Sequence, residues 1–473
     1  MTRPGHRMST PTGGHRAAPT RAPRRAVTPL VLAVLLPVLT VGALTFVSTG
    51  EADEAAVNAP ARTALTRTSL GCPVARGAAR TVEVASSLAE RRGQVTIDVL
   101  GKDGEPRALD LRPRRLSSVR LDGAAVMTGE DEWAAGLLAA RVGDGATIGC
   151  EAPATEAWFT GLGARPQHSS LVELVNPGPG PAIADLRILS PGGPLDVPDV
   201  RGVRVPGRSS VVLDLARIIP RRTELAVQVV VSRGRLVSSV WDTVDALDGG
   251  PATSDWMAAQ PAPATSGLLL GLPEGAGSRR LTIANGGEDE TRVELRIVAP
   301  ESVFDPAGMA EIRVPPGSVR SVLIDDVLAR EIRAGATGLL VESTNPVTTT
   351  LRSFVADDIA HTVAVPPVTE RAAALVPRGT GRLLLAGASL PGVAKVLTRD
   401  AGGRELREER VEIGPDRSVS VRLPNETAYV RVAVGRTSTV ASALVRTAAG
   451  AVVVPLRETV SSGLVPAVLP EPP

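Results

Sequence analysis

The sequence predicts an all-β protein: tandem immunoglobulin-like β-sandwich domains behind a single N-terminal transmembrane helix. Three observations carry that reading. Period-two alternation of apolar and polar residues recurs along most of the chain, one block of about thirty residues repeats at a fixed offset, and an uncharged apolar run follows a basic N-terminus.

The elements follow in chain order. Residues 1–26 hold six arginines and no acid, and form a basic cytoplasmic arm. Without those six, 46 of the 52 basic side chains remain against 50 acidic ones, so the pI near 8.8 belongs to the arm and the rest carries no nucleic-acid footprint. Val27 to Val47 is free of charge and long enough, at 1.5 Å per residue, to cross a hydrocarbon core of about 30 Å. The span is drawn at 27–48, with the positive-inside rule exporting everything after it. A cleaved signal peptide is the competing reading and would make the protein secreted. Residues 49–69, rich in Ala and Thr, read as a stalk, and 461–473 as a flexible tail.

The repeat defines the exported part. Leu174-Val175-Asn176-Pro177-Gly178, Asp185 to Pro191 and Val203-Arg204-Val205-Pro206 recur 109 positions later as Ile283-Ala284-Asn285-Gly286-Gly287, Glu294 to Pro300 and Ile312-Arg313-Val314-Pro315. Weaker copies flank this pair, around Thr96 to Leu111 and Ala394 to Ile413. Breaks at Asn-Pro-Gly, Asn-Gly-Gly and Pro-Pro-Gly are turn chemistry, and about seven strands per copy match a sandwich. Sandwiches are placed at 70–155, 156–260, 266–366 and 372–460. Helical spacing appears at Asp325 to Ile332 and at Trp133 to Ala140. Four Phe, four Trp and one Tyr leave a core of Val, Leu, Ile and Ala.

Chemistry is scarce. Cys72 and Cys150, the only cysteines, are expected to form one disulfide in an oxidising compartment. Four histidines and two cysteines exclude zinc fingers, haem motifs and iron–sulfur clusters, and no cofactor is implied. His168 and His361 fall in loop-like stretches of different copies and read as solvated. Asp325-Asp326 and Asp357-Asp358 read as turn or cap acids, since no Trp or Tyr accompanies them to build a sugar site. Asp242, Asp245 and Asp248 are spaced for a loop that would hold Ca²⁺, set against a plain acidic turn. Trp158, Trp241 and Trp256 bracket the second copy as a ligand surface or as plugs at the sandwich ends.

The basic arm, the apolar span, Trp158-Phe159-Thr160-Gly161, Leu174 to Gly178, Val205-Pro206-Gly207 and Asp255-Trp256 together resemble an uncharacterised family of actinobacterial membrane-anchored or secreted proteins, defined by a domain of unknown function. The resemblance implies an envelope location and supplies no catalytic residue. The expectation is a non-enzymatic scaffold or binding protein at the cell membrane, single-pass with its C-terminal part outside, whose partner is an envelope protein or glycopolymer and not nucleic acid. Its rivals are a divergent envelope hydrolase or glycan-processing enzyme and a carbohydrate-binding accessory protein.

Overall fold

A computed structural model describes residues 61–101, 105–245 and 252–465. The arm, the 27–48 segment and Asp248 lie outside them, and no helix among the described residues is long and apolar enough to cross a membrane. The ends Ala61–Ala64 and Ser462–Val465 pair as a two-stranded ribbon. Residues 64–463 form one compact unit.

That unit is almost entirely β, and one pairing scheme occurs in it four times. In the first copy the strands Arg67–Cys72, Ala125–Glu130, Gly93–Val99 and Arg107–Leu111 make one antiparallel sheet. Ser117–Arg120, Thr81–Ser86, Leu137–Val142 and Thr147–Gly149 make the other. Counted along the chain, the sheet orders are first-sixth-third-fourth and fifth-second-seventh-eighth. The fourth copy repeats them from Arg371–Leu375 to Ala451–Pro455. The second copy, Glu156–Arg165 to Thr253–Met257, joins its sheets through pairing of its first two strands. In the third, Ala264–Leu270 to Asp358–Val363, the sixth and seventh strands are one continuous strand, Gly338–Val355. The immunoglobulin constant order instead puts first, second, fifth and fourth strands in one sheet, so the expected layering holds here with a different strand order.

Alternation decides which face is buried. Leu186 and Ile188 are buried while Asp185 and Arg187 are exposed; 109 residues on, Leu295 and Ile297 are buried and Glu294 is exposed. The turn is repeated atom for atom. Asn176 Nδ2 donates to the carbonyls of Gly180, Val205 and Pro206, and Asn285 Nδ2 to those of Asp289, Val314 and Pro315, at 2.7–3.2 Å. Each Asn Oδ1 accepts from the amide two residues on. The turn sequence differs where Pro177 is matched by Gly286, because a Cβ at 286 would lie 2.7 Å from the Trp158 ring.

The copies close into a ring. The first-sixth-third-fourth sheet of each packs on the fifth-second-seventh-eighth sheet of the next. Leu100, Ala124 and Val126 meet Val175 and Val237 between copies one and two. Trp158, Leu189 and Ala226 meet Ala284 and Val319 between two and three. Leu268, Leu270 and Val298 share a cluster with Leu384, Ala386 and Val440 between three and four. Ala373, Leu375 and Tyr429 then meet Ala85 and Ala140, returning from copy four to copy one. A head-to-tail contact that uses the same two faces each time either runs on as a filament or closes, and here it closes after four steps. The segment Trp133 to Ala140, expected to be helical, is corrected on this ground. A 3₁₀ turn at Asp131–Trp133 leads into the strand Leu137–Val142, which is covered on both faces because one faces its own core and the other the fourth copy. Asp325–Arg333 is helical as its spacing predicts.

Cys72 and Cys150 are bonded. The bond joins the end of the first strand to the residue after the eighth, a separation of 78 positions. Closing such a loop stabilises by about 2–4 kcal/mol.

Candidate functional site

The four eighth strands, Thr147–Gly149, Thr253–Met257, Asp358–Val363 and Ala451–Pro455, surround the ring axis. Four ionisable side chains, His168, Asp242, Arg352 and His361, converge on the seam between the second and third copies beside that axis. Asp242, on the seventh strand of the second copy, is fully buried. Ser170 Oγ donates to its Oδ1 at 2.5 Å, and His168 Nε2 lies 3.0 Å from the same oxygen. His361, from the third copy, brings Nε2 to 3.3 Å of Oδ2, close enough for a charge pair though not aligned as a hydrogen bond. Arg352 Nη1 sits 3.1 Å from His168 Nδ1 and 2.8 Å from Nε2. Nε2 is the ring nitrogen within reach of Asp242, and the Arg352 guanidinium lies against both ring nitrogens from the third copy.

Both histidines are thus corrected. They lie on strands, at 6% and 5% exposure, and not in solvated loops. His168 finds Asp242 on another strand of its own copy, whereas His361 reaches the same carboxylate only across the seam, so neither pairing shows in a local stretch of chain.

The carboxylates titrate in opposite directions. Burial pushes Asp242 upward, but His168 and His361 outweigh it and hold the carboxyl well below the ordinary range. Asp255, directly across the strand pair from Asp242, is driven well above its ordinary value by burial and then by Asp358 and Asp242. Two carboxylates side by side in a dry seam settle with one ionised and one protonated. Asp358 is also raised, by burial, and ties three copies together. Its Oδ1 accepts from Thr253 Oγ1 at 2.8 Å and its Oδ2 from the Ala451 amide at 3.0 Å. It therefore acts across a seam and not only within its own turn.

Asp255 carries a pH dependence. Between the ordinary carboxylate range and its raised value the folded chain holds a proton that the unfolded chain has released, so stability falls as pH rises through that interval. Asn keeps the oxygen that accepts from the Trp256 amide at 2.7 Å and cannot ionise. Asp255→Asn is therefore expected to melt progressively higher than the parent chain as pH rises from the ordinary carboxylate range toward the raised value. A difference that stays flat over that range in thermal melts counts against the assignment.

Ser170, His168 and Asp242 are the residue types of a hydrolase triad, connected differently. A base-activated serine points its hydroxyl at imidazole, whereas Ser170 donates to the carboxylate and is fully buried. Asp245 is half-buried just beyond its strand, and its amide donates to the Gln167 carbonyl. Among the described residues no group of three or more His, Cys, Asp or Glu is arranged to hold a metal. Trp158 is buried at the seam of copies two and three and donates its indole N–H to Glu156 at 2.8 Å. Trp256 is buried against Ala79, Ala146 and Ile148 of the first copy, and Trp241 meets it edge-on at 4.6 Å.

The fold and this seam define a class: an all-β chain of repeated sandwich-like units closed on itself, with its ionisable clusters at the joints. Residues 117–424 match the model of a family of unknown function, DUF5719, and the chain belongs to that family. The match runs from the fifth strand of the first copy to just beyond the fifth strand of the fourth, so it takes in all of the second and third copies. Compared with curated proteins, the chain matches none.

Proposed function

We propose that this chain is a non-enzymatic scaffold or binding protein of the cell envelope, held at the membrane by residues 27–48, with its immunoglobulin-like sandwiches on the outer side. The actinobacterial membrane-anchored or secreted proteins that it resembles fit the same reading. The observation that carries it is the use made of the chain's reactive side chains. His168 and Ser170 are spent on Asp242 inside the second copy, His361 and Asp358 reach across seams of the ring, and Asp242 has both oxygens engaged. A bonded cysteine pair in the first copy is in keeping with an exported location. The large surfaces of such a rigid body suit contact with a protein or glycopolymer.

The test is fractionation of cells that produce the full chain or a chain without residues 1–48, followed by crosslinking of intact envelope. The full chain is expected in the membrane fraction, accessible to protease from outside and crosslinked to envelope components. Recovery of the full chain from the cytosol with reduced thiols would overturn the reading.

A further inference from the structure

The ring encloses a cavity of about 620 Å³ on its axis, lined by residues of all four copies. That volume lies within the roughly 300–1,000 Å³ of small-molecule sites. Its walls are largely aliphatic, among them Leu268, Leu270, Val363, Val365, Val440 and Val453. Filling such a space with water alone leaves apolar wall unsatisfied, while leaving it dry forfeits dispersion contacts.

The polar lining is sparse and partly unmatched. His361, Thr147 and Thr459 all line the cavity, and each has a buried polar atom without a hydrogen-bond partner: Nδ1 of His361 and both threonine hydroxyls. Native proteins rarely leave such atoms unmatched, so several around one space point to a ligand that answers them. Charge around the lining is unbalanced as well. Arg67, Arg235 and Arg457 stand against Glu151 and Glu458. Glu151 pairs with Arg457 at 3.1 Å, Arg67 with Glu130 at 3.4 Å, and Glu458 is engaged by the amides of Thr369, Glu370 and Arg371. Of the lining arginines, Arg235 is the one without a carboxylate partner among the described residues, and it favours an anion at its end of the cavity.

We propose that the axial cavity binds a single-chain anionic amphiphile of the fatty-acid type, its hydrocarbon chain among the aliphatic walls and its carboxylate facing Arg235. Ring closure explains why such a site exists here and in no single copy. The inference deepens the binding-protein reading and rests on it.

The experiment uses the full chain in lipid nanodiscs with a diazirine-bearing long-chain fatty acid, photolysis and peptide mapping. Adducts are expected on the strands Asp358–Val363 and Ala451–Pro455, competed by excess palmitate and far less by the uncharged hexadecanol. Ala258→Phe, which adds bulk at the lining, should cut labelling about tenfold, the effect of about 1.4 kcal/mol, with an unchanged melting temperature. Should that variant melt early, Arg235→Gln at an exposed lining position serves instead and should abolish the preference for palmitate over hexadecanol. Adducts confined to 27–48, labelling indifferent to both variants, or competition by phosphatidylglycerol vesicles but not by palmitate would overturn the proposal. Envelope crosslinks that persist when cavity labelling fails would remove this inference alone and leave the scaffold reading standing.

Discussion

Asp242→Ala is expected to cost about 3–5 kcal/mol of stability, the penalty for removing one partner from a buried ionic cluster. The loss comes from what the carboxylate leaves behind. Ser170 loses its acceptor at 2.5 Å, His168 loses the oxygen at 3.0 Å, and His361 loses the oxygen 3.3 Å from its Nε2. None of these groups can turn to water, because all three are buried at a seam. Asp242→Asn should fall between, since it keeps an acceptor and loses the charge. Asp245→Ala, half-buried and three residues on, should stay within about 0.5 kcal/mol. The pH dependence has a definite sign. A carboxyl held below its ordinary value contributes stability that is present above the ordinary carboxylate range and is lost as pH falls through the folded-state value, so the gap between parent and Asp242→Asn should narrow in acid. Denaturant melts of the full chain check both statements. If Asp242→Ala and Asp245→Ala proved equally mild, the cluster would not be holding the seam.

Much of this architecture is legible in the sequence, for a reason that also marks the limit. Alternation such as Val293, Leu295 and Ile297 against Arg292 and Glu294 reports a local fact, which side of a strand is wet, and the 109-residue offset reports that two stretches solve the same local problem. Ring closure is not local. It depends on faces that meet across hundreds of residues, as Tyr429 meets Ala85, and no period records that. Traces of it are nevertheless visible in hindsight. Glu156–Arg165 is buried at eight consecutive positions, where a half-solvated strand would alternate, and such runs mark strands covered on both faces. Departures from the repeat carry the same message. The strand pair that sets Ser170 opposite Asp242 in the second copy sets Arg279 opposite Ser353 in the third. Equivalent positions differ there because one faces the cluster and the other turns its guanidinium to the carbonyls of Pro273 and Gly275. The candidate site was therefore present as residue types and hidden as geometry: each histidine's partner belongs to another strand, and for His361 to another copy.

Ile297→Asp is expected to unfold the third copy and, through its seams, to destabilise the whole ring, at a cost several times the roughly 1 kcal/mol of an average substitution. Ile297 is fully buried, lies opposite Leu339 in the sheet and packs in a cluster with Leu281, Ile283 and Leu295. A carboxylate there has no cation or donor within the apolar layer, so it stays charged and unpaired or takes up a proton, and both cost free energy. The natural control is its neighbour on the opposite face, but Arg296→Glu is not silent. Arg296 is one-third exposed and lies 3.4 Å from Asp305 and 3.5 Å from Glu342, so reversing its charge gathers three carboxylates and should cost on the order of 0.5–1 kcal/mol. Glu294→Gln, at an exposed position two residues before Arg296, is the cleaner control and should stay within about 0.5 kcal/mol. The measurement belongs in the full chain, because Val298, next to Ile297, already packs at the seam with the fourth copy, and an isolated third copy would expose that face. The predicted order of melting temperatures is Glu294→Gln near the parent, Arg296→Glu slightly lower and Ile297→Asp far below. The same order should appear 109 residues earlier, with Ile188→Asp severe and Asp185→Asn mild, because the two copies bury equivalent positions. Equal losses from Ile297→Asp and Glu294→Gln would mean that the strand does not present Ile297 to the core.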